Sequence, residues 1–431
     1  MEVLDKAVQK SIGLEMYEII SRLFPICRSI TGNGVRETLE ILKEYIPLTI
    51  NEVPTGTEVF DWTVPKEWNI TDAFIKDPSG QKIVDFKNCN LHVLNYSLPI
   101  NRIISLQELT PHLFSLPEHP DWIPYKTSYY NENWGFCISH NQLLSLEEGD
   151  YEVFIESTLK QGSLTFGEYF IQGDIDDEVL ISCHICHPSL ANDNLSGISI
   201  AVTLANWLSK MNTKFSYRFL FIPGTIGSIT WLSLNKDKVS KIKYGLVTTL
   251  LGDPGSFTYK RSRAGSAEIN KIVEFVLKEQ NADYNVIDFF PYGYDERQYC
   301  SPGFNLPVGC LMRTPHGQYK EYHTSADNLQ LVTPDKLEES YHVIGNILKV
   351  IESNKKYVNT KPFCEPQLGK RGLYKSINGK QNEMAMLWVL NQSDGEHSLL
   401  DIAVKSGIPF EIIRQVADTL KSYDLLIEKG V

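Results

Sequence analysis

The sequence predicts an α/β protein: a three-layer domain interrupted by a β-rich insert and followed by a winged helix-turn-helix tail. Three observations carry that expectation. Between about residues 165 and 355, buried-type strands alternate with amphipathic helices, the pattern of helices layered on a sheet. From 51 to 160 helical periodicity nearly vanishes and short β-branched and aromatic runs lie between turn clusters. Beyond Pro366 the texture is helical again. The expected boundaries are 1–50 with 161–360 for the α/β domain, 51–160 for the insert and 366–431 for the tail.

In chain order, LEMYEIISRLF and VRETLEILKEYI carry apolar residues at helical spacing on either side of a break at Ser29–Gly34. In the insert, LHVLNY, WGFCIS and YEVFIES are strand candidates, separated by turns such as Asp77-Pro78-Ser79-Gly80. EVLISCHI then reads as a strand, LSGISIAVTLANWLSKM as a helix, YRFLFIP and KYGLVTTLLG as strands, and SAEINKIVEFVLKEQ as a helix. In such sheets ligands gather beyond the carboxyl ends of the strands. The tail reads as two short helices, a Gly-Ile-Pro turn and a longer helix.

Composition narrows the function. With 431 residues, 42% hydrophobic and 22% charged, the chain can bury a core without disulfides, and its eight scattered cysteines read as free thiols. A formal charge of −12 disfavours nucleic acid and anionic membranes as partners. Residues 366–431 hold eight Lys/Arg and eight Asp/Glu, and the candidate recognition helix carries Glu411, Asp418 and Asp424, a poor DNA reader. The N-terminus lacks an apolar signal core, and the most apolar stretch, Tyr217–Leu234, is broken by Arg218, Pro223, Gly224 and Gly227. A cytoplasmic protein with no membrane partner is expected.

The densest polar segment runs from Cys183 to Gly197, CHICHPSLANDNLSG, between a strand and a helix. His184, His187 and Asp193 are ligand types that zinc prefers. A capped polar turn would explain Asp193 or Asn194, but not both histidines as well. Cys183-x-x-Cys186-His187 also has the form of covalent haem attachment or a redox pair, without the export signal or helix-opening context those need. Asp253, in a Gly-Asp-Pro-Gly context after a strand, and His323, in Tyr-His-Thr-Ser-Ala-Asp, add further ligand types; a turn Asp and a surface His are their plainer readings.

The order His, Asp-Asn-x-Ser-Gly, Asp, Tyr-His-Thr-x-x-Asp resembles the zinc aminopeptidases of the di-zinc exopeptidase group. That resemblance implies His184 or His187 as first ligand, Asp193 as the bridge, Asp253 as the later acid and His323 as last ligand, holding one or two zinc ions. In that group a Glu-Glu pair follows the next strand, one residue a base and one a ligand; here Gly224 and Thr225 stand there. The group's His-x-Asp is here His184-Ile185-Cys186, and the spacing to Asp193 is shorter. The whole chain, through FPICRSITGNGVRETL, HICHPSLANDNLSG, YDERQYCSPG and EYHTSADN, is more similar to a bacterial aminopeptidase-like family of unknown function, sometimes linked to polysaccharide biosynthesis.

With the usual base missing, Glu296 of Tyr-Asp-Glu-Arg-Gln-Tyr is the first candidate to activate water, its plainer reading being a solvated charged loop. Arg297 and Arg313 are candidates for a substrate carboxylate, and Tyr322 for an oxyanion. No Gly-x-Ser-x-Gly elbow, His-Glu-x-x-His helix, P-loop or dinucleotide fingerprint is present. The expected function is zinc-dependent hydrolysis of a small peptide or amide. The alternative is a non-catalytic binding or regulatory protein on the same scaffold, its winged helix contacting a protein partner or a second copy.

Overall fold

The computed structural model describes residues 11–280, 282–373 and 380–429. Its largest sheet has eight strands, in the order Thr49–Pro54, Ser163–Ile171, Ser216–Ile222, Glu178–His184, Ile242–Thr248, Val308–Met312, Phe257–Lys260 and Tyr284–Ile287. The middle four run parallel, and antiparallel strands flank them. Every residue of Glu178–His184 is buried. Because side chains alternate between faces, burial of both sets means that both faces of the sheet are covered. The helix Gly197–Leu208 packs on the central strands and on the helix Ile12–Leu23. Leu180, Leu220 and Ile222 pack with Ile226, Ile229 and Trp231 of the helix Ile226–Leu234. The chain therefore has the mixed α/β architecture expected.

Parallel pairing decides where polar residues collect. His184 ends one strand, Ile222 ends its neighbour ahead of Gly224 and Thr225, and Thr248 ends a third ahead of Asp253. All three ends open on the same edge of the sheet.

The insert contains a four-stranded antiparallel sheet, in the order Lys82–Asp85, Glu67–Lys76, Asp150–Lys160, Ile100–Ser105. Ala73, Ile75, Val153 and Ile155 on one face close over Phe136 and Ile138. The run YEVFIES lies within a strand as expected, but LHVLNY does not form one. Asn90–His92 is a 3-10 turn, only isolated bridges form at Val93 and Asn95, and Tyr96 at φ 76° ends the extended run. WGFCIS contributes only the two-residue strand Phe136–Cys137. Glu67 ties insert to sheet: it binds Arg36 at 2.6 Å and accepts the Ser163 N–H at 3.0 Å.

Residues up to Asn270 with Asp283–His342 form one compact unit, and Lys271–Ala282 with Val343 onward form a second. In the second, the helices Lys380–Gln392, Leu399–Ser406 and Phe410–Ser422 accompany an antiparallel sheet ordered Asp394–Ser398, Lys356–Asn359, Leu426–Glu428. Ser398 and Asp401 form a capping box, and Gly407, at φ 69°, terminates the middle helix. The Phe410 N–H, an orphan donor at a helix start, is satisfied by Glu279 Oε1 at 2.7 Å. Among the described residues no helix is long and apolar enough to cross a membrane.

Candidate metal centre

Three imidazoles converge on one carboxylate. His184 Nε2 lies 2.9 Å from Asp193 Oδ1, and His187 Nδ1 and His323 Nε2 lie 3.4 and 3.0 Å from Asp193 Oδ2. His184 Nε2 and His187 Nδ1 face each other at 3.2 Å. Donors on a tetrahedral zinc, with bonds of ~2.0–2.1 Å, are spaced by about 3.3–3.5 Å, close to the separations among His184, His187 and Asp193, while His323 meets Asp193 from the other side. Among the described residues, His184, His187 and Asp193 are the cluster of metal-ligating side chains whose ligand atoms all lie within 4.8 Å of one another.

The protonation states fit that use. Burial pushes His187 down to about 4, against the pull of Asp193, so its imidazole is neutral at ordinary pH. Burial alone would raise Asp193, but the surrounding imidazoles, His187 first, hold it well below the usual carboxylate range. A neutral imidazole and an ionised carboxylate are the forms that bind zinc. His184 Nδ1 is buried without a partner.

The loop carrying Asp193 is held by its backbone. Asp327 accepts the N–H groups of Asn192 and Asp193 at 2.6 and 3.0 Å, and burial lifts its carboxyl to about 8 despite those bonds. Asn194 Nδ2 donates to Thr248 O at 3.1 Å, and the Asp193–Asn194 peptide is cis. Gly197 is needed where the loop enters its helix, since a Cβ would stand 2.4 Å from Asn194 Oδ1 and 2.5 Å from Thr248 O. His323 sits at φ 55°, backbone strain of about 1–3 kcal/mol that its neighbours must hold.

A cavity of ≈ 360 Å³ opens onto the cluster, walled by His184, His187, His323, Gly224, Thr225 and Asp295, with Tyr294 and Tyr322. The insert supplies Trp62, Tyr129 and Tyr130 to the same wall. Its backbone is joined to the ligand loop, where the Tyr125 N–H donates to His323 O at 2.8 Å. Asp295 is 2% exposed, and its Oδ1 accepts from Thr225 N at 2.7 Å and Ser228 Oγ at 2.8 Å. Burial raises its carboxyl, opposed first by His184. Thr225, at φ 62°, is held in strain to present that N–H.

A family model described as a domain of unknown function (DUF4910) matches residues 17–354, and a winged helix-turn-helix model matches 355–428. A Clostridium acetobutylicum protein, provisionally named for polysaccharide biosynthesis with an aminopeptidase-like domain, is 54% identical over 99% of both chains. The chain belongs to the DUF4910 family. A crystal structure from C. acetobutylicum, of a protein provisionally called a peptidase, is 54% identical with TM-score 0.93, covering 97% of this chain and 96% of that one. A zinc aminopeptidase from Bacillus subtilis is 10% identical with TM-score 0.57, covering 79% and 94%, a likeness of fold. The aminopeptidase-like fold expected from the sequence is thus shared across the DUF4910 match and its structural neighbours.

Within this family member, four expected roles meet a different geometry. Asp253 is buried outside the cluster: Thr314 Oγ1 and the Gly255 N–H bind one oxygen at 2.6 and 2.8 Å, and Asn192 Nδ2 the other at 3.1 Å. It orients Asn192 and is not among the converging ligands. Glu296 turns away from the cluster into an ion pair with Lys260 at 2.8 Å, both side chains 1% exposed. Asp295 caps the short helix that Glu296 begins, the two side chains point about 100° apart, and only Asp295 lines this cavity. Arg313 is also committed: it binds Ser340, Gly255 O and Glu339 at 3.0, 2.7 and 2.7 Å and stacks over Phe257. Arg297 Nη2 donates to Thr225 Oγ1 at 3.0 Å and braces that turn from outside the cavity wall.

Tyr322 does line the cavity, stacked on His323 at 3.9 Å, and burial raises its phenol so that it stays a donor. Cys183 and Cys186 are buried free thiols, and Cys186 Sγ accepts the Gly224 N–H at 3.2 Å. Asp295 and the insert's aromatic wall escape sequence reasoning. Asp295 had a signal, its place beside Glu296; Trp62, Tyr129 and Tyr130 had none, being far from the cluster in sequence.

Proposed function

We propose that the protein is a single-zinc hydrolase of small amides or peptides, with His184, His187, Asp193 and His323 holding the ion. The convergence of three imidazoles on the buried Asp193 carries this reading. One ion is the simpler reading because Asp253, the usual later acid, is spent on Asn192, Gly255 and Thr314. When bound, zinc supplies Lewis acidity and lowers the pKa of a coordinated water to about 7.

Asp295 takes the role first sought in Glu296. Fixed by Thr225 and Ser228, its carboxylate accepts the proton of the attacking water and returns it to the leaving nitrogen. A carboxyl raised by burial is suited to both steps. Tyr322 donates to the carbonyl oxygen as charge develops there. The alternative of a non-catalytic scaffold drew its support from the missing Glu-Glu pair, and Asp295 supplies a carboxylate at that same turn. The relative's name suggests a substrate from polysaccharide biosynthesis.

Metal analysis of the purified protein, beside Asp193→Ala and His323→Ala, tests the site: about one zinc per chain in the wild type and little in either variant is expected. A wild type that takes up no zinc would sink the reading. A screen of aminoacyl and N-acyl amides tests the reaction. For the tail we propose protein contacts or self-association in a cytoplasmic setting, since Arg414 of the helix Phe410–Ser422 is already paired with Glu411 and Asp418. A DNA mobility assay showing tight, salt-sensitive binding would overturn that choice.

A further inference from the structure

Beside the metal cavity lies a second one, of ≈ 360 Å³, and the two share Gly293 and Tyr294 on their walls. Its wall holds Lys260 and Glu296, the buried pair that the hydrolytic chemistry leaves unused. Lys260 is fully engaged: its Nζ donates to Glu296 Oε1 at 2.8 Å and Tyr292 O at 2.7 Å and lies 3.9 Å from the centre of the Phe290 ring. Glu296 is only half engaged. Its Oε2 is buried and has no hydrogen-bond partner, and His316 Nδ1, on the same wall, is also buried without one.

A buried carboxylate oxygen with no donor is costly, and native proteins rarely leave one so. The pair is neutral overall, so it selects against a charged ligand: Glu296 opposes an anion and Lys260 a cation. What satisfies both orphan atoms is a neutral group with a hydrogen to donate, and a hydroxyl can donate to Glu296 Oε2 or exchange with His316 Nδ1 in either tautomer. Gly293, at φ 148°, leaves room beside the pair, since a Cβ there would stand 2.5 Å from Glu296 Oε1 and 3.0 Å from Lys260 Nζ.

We propose that this second cavity is a substrate subsite that binds a neutral, hydroxyl-bearing group next to the scissile amide, with Glu296 Oε2 as acceptor. The proposal rests on the hydrolase reading for the word substrate, but its binding chemistry does not depend on turnover. The substrate class is a hydroxylated amide, in which Glu296 decides specificity and Asp295 acts on the bond.

The test is a ligand-observed NMR titration of the zinc-loaded full-length protein with two isosteric pairs. These are N-(2-hydroxyethyl)acetamide against N-propylacetamide, and L-serinamide against L-2-aminobutyramide. In at least one pair the hydroxyl member should bind the wild type about 10-fold tighter or more, because an apolar isostere leaves Glu296 Oε2 unpaired. Glu296→Gln alone strands Lys260 and risks misfolding, so the decisive variant is Lys260→Met with Glu296→Leu, which removes both charges at similar volume. Its preference should fall to about 1-fold while its zinc content stays at the wild-type level. Equal affinities in the wild type for both pairs, or a hydroxyl preference that survives in the double variant, would overturn the subsite. Absence of turnover with the binding preference intact would instead remove the hydrolase reading and leave the subsite standing.

Discussion

Replacing Asp295 with asparagine separates chemistry from architecture at this site. The Asp295 Oδ1 atom accepts from Thr225 N and Ser228 Oγ, and an asparagine oxygen can take both bonds in a side chain of nearly equal volume. Stability should therefore change by no more than ~1 kcal/mol. The amide cannot carry the proton, and loss of a general acid/base costs about 10²- to 10⁴-fold in rate, or ~3–5.5 kcal/mol of barrier. Glu296→Gln should behave in the opposite way: it leaves Lys260, 1% exposed, without a counter-charge, a loss of about 3–5 kcal/mol of stability. The assay is kcat on a responsive amide, normalised to bound zinc, with urea unfolding of both variants. If Asp295→Asn keeps more than about a tenth of wild-type turnover at full zinc occupancy, Asp295 is not the base.

Gly197→Ala should lower stability and zinc uptake together, since its Cβ would strike Asn194 Oδ1 and Thr248 O; unfolding curves with and without zinc would show both losses. Arg28 is fully buried and donates from Nε to His187 O at 2.8 Å and from Nη1 to Leu23 O at 2.7 Å. Arg28→Met strands both carbonyls, costing about 1–3 kcal/mol each, and should loosen zinc as His187 shifts, readable by chelator competition. Glu67 is held down to about 2, first by Arg36, opposed by burial and aided by the Ser163 N–H. A carboxyl depressed in the folded state stabilises above its unfolded value and loses that contribution as pH falls through the folded one. Acid titration should show stability lost between about pH 4.5 and 2, and Glu67→Gln should remove that segment of the curve.

Strand and helix order in the α/β body was legible because each element carries its own period. Glu178–His184 centres on the apolar run Val179–Ile181 and Gly197–Leu208 has a helical stripe, so neither needed distant partners to be recognised. LHVLNY failed for a local reason invisible in composition: Tyr96 turns left-handed and the run finds only isolated bridges. The histidines and Asp193 were legible because a strand end and the loop after it bring close in space what is close in sequence. His323 and Asp327 were legible only as a motif.

Glu296 and Arg313 show the limit. Both have the right chemistry, and both are consumed by partners, Lys260 for one and Ser340, Gly255 and Glu339 for the other, that the chain brings up from 26 to 58 residues away. Which of two adjacent carboxylates faces a cavity depends on a helix's rotation about its axis, and packing sets that rotation. Ligand types, their order and the layered architecture follow from residue chemistry and local periodicity. The choice of Asp295 over Glu296, the retirement of Asp253 to a supporting role, and the aromatic wall lent by the insert follow from packing, because burial and long-range hydrogen bonds decide which polar groups remain free to act.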